Sequence, residues 1–571
     1  MKIINKLIIA FIIIFIIKSI LVSVIPAPSA FADGYIYAKT ARSFFYDQAL
    51  IVHNEIPTQY PPLYSIILSP SYIFNDINNV YLFMKLINVL LSSLIIFPAF
   101  FLAKEFISEK KSFSFALLIS VLPSNFAFSS YLMSENLFYP LFLISIYFIY
   151  KSFRENKLKY DLLASIFIAL SYLTRVLSLI LPIIVGILIA IELYKKRYTI
   201  KHVIKKSLIY LIPFLLIISP WIIRNLLLFG DSSKVGINYY QTNFVTSLNY
   251  PSFLLWILLY IGLIVISSGV IFLFMHLTTI KEFFKNKKLS LLTMITYLSL
   301  IMLIIVISKY SAGASLKSFG EILFKLSGRP IGRYMDITLP LVILLGFIGI
   351  GFYTTKLKEK YFNLSLILIS VTLLISLKLI FFPLFPLNNL SLAWIGSLKY
   401  LIDLLVYGKQ SLDVTFTLAS FIGFILLFAL IPITILILHY KEKLNLKNIF
   451  TFFIVFFLIV SLLNFGLTYR NSKIWHDGEQ MQLGIWFNDY DPKISNILID
   501  ERDCTGKIIK EYQSTLCEPI KSATIIGFWL NDNLRIGDVS NLKDIDFVIT
   551  KHNLNLKLIR ETKSGIKIYK T

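Results

Sequence analysis

Charged residues are scarce in this chain. They make up 15% of its 571 residues, where a soluble protein of this size carries roughly a quarter. Cysteine is scarcer still: Cys504 and Cys517 are the only two, and no Cys/His cluster with metal-ligand spacing is found. Also missing are a Walker phosphate loop, a dinucleotide fingerprint and an HExxH motif. These absences argue against an ATP-driven pump and against an enzyme built on a soluble cofactor. No internal repeat recommends a secondary transporter either.

What the sequence has in excess is apolar. Hydrophobic residues make up 57% of the chain and its mean hydropathy is +0.76. The apolar residues come in blocks too long for a core helix. Leu7 to Ile25 is one such block, with Lys18 its only charge. A membrane span needs ~20 mostly apolar residues, because the hydrocarbon is ~30 Å thick and each helical residue rises ~1.5 Å. A cleaved signal peptide competes for this N-terminal block, but its apolar region would be only ~7–15 residues.

The formal net charge of +23 does not point to nucleic acid, because the lysines sit in short connectors between apolar blocks. That placement is how a membrane protein sets its orientation. Spans are predicted near 7–25, 80–103, 113–131, 136–150, 160–173, 177–194, 205–222, 252–275, 289–308, 337–353, 362–381, 414–439 and 448–468. With the Lys2/Lys6 start in the cytoplasm, the basic connectors at 104–111, 151–159, 195–206, 281–288, 356–360 and 441–447 all fall on that side. The stretch Asp161 to Tyr194 would be about 51 Å long as one helix, too long for a bilayer. Both its flanks are basic, so an even number of crossings lies between them. Two short helices with a turn near Arg175 satisfy both constraints.

The expected architecture is therefore an all-α polytopic membrane protein of about thirteen transmembrane helices, residues 1–468. A small extracytoplasmic α/β domain, residues 469–571, follows. In that domain short β-rich runs are expected at Ile497–Ile499, Thr524–Trp529, Phe547–Thr550 and Ile566–Tyr569, with a helix at Glu479–Phe487. Cys504 and Cys517 could close a disulfide in an oxidising compartment; two buried thiols is the other reading.

Three outer segments place polar groups at the bilayer edge. Asp33 follows the first span, where a part-buried carboxylate can take a proton from a substrate hydroxyl or merely cap a helix. Gln59 to Pro70, which holds Tyr60 and Tyr64, is too short and proline-broken to span and suits a re-entrant or interfacial segment. Glu135 opens the fourth span as a metal ligand, a substrate contact or a helix-start acid. Arg175, Arg224, Arg329 and Arg333 stand at the same outer level. Ionisable groups near hydrocarbon cost several kcal/mol unless paired or wet, and arginine suits phosphate; each alone could equally anchor a headgroup.

In order along the chain, these pieces resemble the GT-C superfamily of membrane glycosyltransferases. The nearest group contains the protein O-mannosyltransferases and the lipid A aminoarabinose transferases. The matching pieces are Asp33 with Tyr37 and Ala38, Tyr60-Pro-Pro-Leu-Tyr64, Ser134-Glu135 before Leu137, and Leu173-Thr-Arg175. Pro220-Trp221 with Arg224-Asn225, and Gly332-Arg-Tyr334 ahead of Pro340, complete the set. One departure stands out: many relatives carry an Asp-Glu pair after the first span, and here Gly34 follows Asp33.

The resemblance implies a plasma-membrane glycosyltransferase with an outward-facing cavity and a polyprenyl (dolichyl)-phosphate sugar as donor. The acceptor would be a glycan, lipid or protein. Asp33 would be the base, the four arginines would hold the donor phosphate, and Glu135, Tyr60 and Tyr64 would contact the acceptor or a divalent cation, Mg or Mn. A lipid-linked glycan ligase or polymerase, and a translocase of lipid-linked sugars, remain open as alternatives.

Overall fold

The computed structural model describes residues 3–28, 32–53, 56–57, 60–229, 250–312, 330–353, 359–381, 389–408, 418–440, 446–504, 517–518, 523–524 and 526–571. Among the described residues eleven helices are long and apolar enough to cross a membrane, and a twelfth span is added if Glu109–Ser120 and Pro123–Ser130, bent by 63°, are one. The protein is thus multi-pass, with a small β-sheet region near its C-terminus. Of the thirteen expected spans, 113–131 is the bent pair, and 160–173 is the helix Leu158–Thr174, 17 residues long, about 26 Å. The chain then breaks as expected: Arg175 is extended (φ −153°, ψ 130°), a short turn spans Val176–Leu179, and a new helix starts at Ile180.

The expected span 252–275 is corrected. Its helix ends at Ser267 and a second begins at Ile271 and runs to Lys285. Between them Gly269 adopts φ +85°, and a Cβ there would run into the ring of Phe453. Glycine is the residue that takes this conformation without cost, so the break is set by backbone freedom and a neighbouring ring.

The chain forms two compact units. One comprises Met1–Ile14, Ser92–Phe128 and Phe138–Asn464. Within it, helix Ile271–Lys285 packs closely on Leu339–Phe352, because Gly346 and Gly349 sit on the backbone of Phe272 and Met275, where side chains would collide. Small residues let membrane helices approach in this way when no hydrophobic force drives them together. Leu158–Thr174 packs along Ile200–Phe229, with Ser165 donating to the Tyr210 carbonyl at 2.6 Å. Beside it, Lys206 meets Asp161 at 2.7 Å with side-chain exposures of 1% and 6%. Ser152 also donates to Asp161, and Lys206 reaches Asn156 at 3.3 Å. Removing either charge would leave the other buried and uncompensated.

The second unit comprises Phe15–Leu91, Ser129–Leu137 and Phe465–Thr571. The first span ends here under Lys85, whose ammonium donates to the carbonyls of Val22 (2.8 Å) and Ile25 (2.6 Å), a cation completing a helix C-terminus. After it comes helix Ala32–Asp47.

The sheet is built from β1 (Asn496–Asp500), β2 (Asn533–Gly537), β3 (Phe547–Thr550), β4 (Lys557–Glu561) and β5 (Lys567–Lys570), in the order β2-β1-β3-β5-β4. β1 runs parallel to β2 and β3, while β5 is antiparallel to β3 and β4. Side chains alternate as strands require. Ile497, Ile499, Phe547, Ile549 and Ile568 face Leu483 and Phe487 of helix Glu479–Tyr490, and Leu498, Val548 and Tyr569 line the other face.

Three of the four expected β-runs are strands. The fourth is corrected: Ala523–Thr524 pair with Cys517–Glu518, but Ile526–Trp529 is a 3-10 turn whose backbone lies against Gly484. The side chains of Cys504 and Cys517 lie outside the described residues.

Candidate active site

In the second unit, Asp33 lies in the first turn of helix Ala32–Asp47, where a helix dipole favours an acid. Its carboxylate accepts a hydrogen bond from the Tyr60 hydroxyl at 2.9 Å. Tyr37, one turn farther on, meets Tyr60 and Tyr64 edge to face, with centroids 5.4 and 4.9 Å away. Its hydroxyl is 3.0 Å from Ser134 Oγ. Tyr64 donates to Asn88 Oδ1 at 2.8 Å, and Asn88 Nδ2 donates to the Tyr131 carbonyl at 3.0 Å. Glu135 is 1% exposed, opens its helix and lies within electrostatic reach of the Tyr64 phenol. The structure therefore gathers Asp33, Tyr60, Tyr64 and Glu135 in one cluster, joined by Tyr37, Ser134 and Asn88.

Gly34 has a steric explanation. A Cβ at this position would stand 3.1 Å from the Leu132 carbonyl oxygen, a tight approach at a segment that also carries Ser134. A second acid beside Asp33 would have to push that backbone away.

The other end of the Asp33 helix was invisible to motif reasoning. Lys39 and Arg42 are 5% and 4% exposed. Lys39 donates to the Leu530 carbonyl at 2.6 Å. Arg42 donates to Asn531 Oδ1 (3.2 Å), the Asn531 carbonyl (3.0 Å) and Asn533 Oδ1 (3.3 Å). Burial, then the charge of Arg42, pushes the Lys39 ammonium down to about 7. Burial likewise pushes the neighbouring Asp532 carboxyl up to about 6.

In the first unit, the guanidinium carbons of Arg175 and Arg333 lie 4.9 and 5.3 Å from the centroid of the Tyr334 ring. Each is a cation–π distance. Arg175 is 8% exposed and Arg333 7%. The segment carrying Arg333 is fixed by its backbone: Tyr139 donates to the Arg333 carbonyl (2.7 Å), the Gly332 amide to Asn389 Oδ1 (2.9 Å), and the Ile331 amide to the Tyr260 hydroxyl (3.1 Å). Asn389 Nδ2 returns a bond to the Pro330 carbonyl at 2.9 Å. Sequence reasoning missed Tyr139, Asn389 and Tyr260, since nothing local marks a side chain that serves a distant backbone. Arg224 lies over the Trp221 ring at 4.9 Å and donates to Asn225 Oδ1 at 2.8 Å. Arg329 lies outside the described residues.

Among the described residues one group has metal-ligand character: Asp500, Asp503 and His552, with ligand atoms within 4.8 Å. Its carboxylates already have protein donors. Arg502 holds Asp500 through Nε (2.9 and 3.1 Å) and Nη2 (2.6 Å), Thr550 donates to both acids, and the Lys551 amide donates to Asp503. This network ties the ends of β1 and β3 together.

Residues 60–223, which include Tyr60, Tyr64, Glu135 and Arg175, match the dolichyl-phosphate-mannose-protein mannosyltransferase family. No curated protein matches the chain by sequence. Among solved structures, ArnT from Cupriavidus metallidurans bound to undecaprenyl phosphate aligns with a TM-score of 0.57 at 11% identity, covering 98% of this chain and 97% of its own. The apo form of the same ArnT gives 0.54 at 10%, covering 99% and 98%. The chain thus has the GT-C fold and is similar to the protein mannosyltransferase and ArnT group of membrane glycosyltransferases.

Proposed function

We propose that the protein transfers a sugar from a polyprenyl-phosphate carrier to a hydroxyl-bearing glycan, lipid or protein on the outer face of the membrane. The observation that carries this reading is the pair of buried guanidiniums, Arg175 and Arg333, flanking Tyr334. Two permanent cations held beside an aromatic ring in an apolar helical body suit an anionic group such as a phosphate whose tail stays in lipid. The undecaprenyl phosphate bound by the ArnT of the same fold supports the choice of lipid.

In this mechanism Asp33 accepts the proton of the acceptor hydroxyl as its oxygen attacks the anomeric carbon. The glycosidic bond to phosphate breaks through an oxocarbenium-like state. Arg175, Arg224 and Arg333 stabilise the negative charge that grows on the leaving phosphate. Tyr60 orients the Asp33 carboxylate, and Glu135 contacts the acceptor.

Purified protein in lipid is expected to turn over a polyprenyl-phosphate sugar and to ignore the matching nucleotide sugar. Use of the nucleotide sugar with no lipid carrier added would overturn the reading. A covalent product separates this activity from that of a translocase, which would only move the labelled lipid across the bilayer. Orientation follows from the alternating basic connectors: a reporter fused after Thr571 should be active only outside the cytoplasm. Cytoplasmic activity would remove the outer site from the mechanism.

A further inference from the structure

We propose that the C-terminal α/β domain sets the pose of the helix that bears Asp33, with Lys39 and Arg42 as positioning residues for the transfer step. This rests on the reading of Asp33 as the base.

The helix Ala32–Asp47 is 16 residues long, a rigid rod of about 24 Å. At its start it is seated by Tyr60 on Asp33, by Gly34 against Leu132, and by Tyr37 on Ser134. Along its middle, the Tyr72 hydroxyl donates to the Ala38 carbonyl at 3.0 Å. Lys39 and Arg42, three positions apart and so on one face, reach the segment Leu530–Asn533. Rings line both cations: Lys39 lies 5.8 Å from the Tyr35 centroid and Arg42 5.1 Å from that of Tyr46.

The receiving segment belongs to a stiff body. Ile526, Leu530 and Leu534 are part of the same core as the inner face of the sheet, and Asp532 is held by the Ser495 amide at 3.0 Å. Trp529 and Phe528 also pack edge-on against Tyr81, with centroids 5.9 and 5.7 Å away. Two buried cations aimed at carbonyl and amide oxygens are a costly way to attach a passenger domain. They are well suited to fixing direction, because each bond fails if the helix rotates or slides.

The test uses full-length protein in lipid with a polyprenyl-phosphate sugar donor and compares Lys39→Met, Arg42→Gln and the double variant Asn531→Ala/Asn533→Ala. Each is expected to lower kcat by about ten- to hundredfold, as small misplacements of a reacting group do, with donor KM nearly unchanged and a lower unfolding temperature, because buried groups lose their hydrogen-bond partners. In an Asp33→Asn background the same changes should cause no further loss, because residues acting through one another are not additive. Wild-type kcat in the Asn531/Asn533 variant, or an equal loss in the Asp33→Asn background, would overturn the inference. If Lys39→Met or Arg42→Gln does not fold, the Asn531/Asn533 variant decides, since it leaves both cations in place. If Asp33→Asn itself keeps full turnover, the base assignment fails separately. Hydrogen exchange at residues 32–47 then judges the clamp: faster in the clamp variants supports it, and unchanged overturns it.

Discussion

Asp33→Asn is expected to fold, to bind the lipid-phosphate donor, and to lose two or more orders of magnitude in transfer rate, the range a general base contributes. The substitution is close to isosteric. The Tyr60 hydroxyl that now donates to Asp33 Oδ1 can donate to the amide oxygen instead. Asparagine is also tolerated near a helix start about as well as aspartate, so a structural role would leave turnover nearly intact. The check is a side-by-side measurement of donor binding and of product formed per minute. Near-normal turnover with normal binding would return Asp33 to the role of a helix-start acid.

Arg333→Ala is expected to weaken use of the donor by roughly ten- to a hundredfold or more, since a charge-assisted bond contributes ~1.5–3 kcal/mol and desolvation raises it. The backbone around Arg333 is secured without its side chain, through Tyr139, Asn389 and Tyr260. The loss should therefore appear in kcat/KM for the donor and not in the folded yield. Arg333→Lys, which keeps the charge but lacks the planar fork, should fall between the two. A variant with normal kcat/KM would make Arg333 a headgroup anchor and leave the phosphate to other residues.

The membrane part was legible because its signal is local. Long apolar runs report spans wherever they occur, and the break at Arg175 followed from length and charge alone. The break at Gly269 was not legible, since hydropathy continues through it and the cause is the Phe453 ring, distant in sequence. Lys206 read as an orientation charge, yet its ammonium is buried against Asp161. The sheet was half legible. β1 and β3 are short apolar runs buried on both faces and β5 is buried at its centre, whereas β2 and β4 lie at the edges with mostly exposed or part-exposed side chains. In the site, Asp33, Tyr60, Tyr64 and Glu135 could be picked out from chemistry and spacing. Lys39 and Arg42 belong to no motif, and only the fold reveals what they hold.

The contact between Lys39 and Leu530 spans 491 positions of chain. At a synthesis rate of ~5–20 residues per second, the Asp33 helix emerges about 25–100 s before the segment that receives it. Through that interval the rest of the helical body can insert while two lysine and arginine side chains wait without their final acceptors. A nascent chain therefore holds the proposed base on a helix seated by Tyr60, Tyr72 and Ser134 but still without the acceptors of Lys39 and Arg42. The helix thus gains its full set of contacts only once Leu530–Asn533 has been made, long after the helix itself.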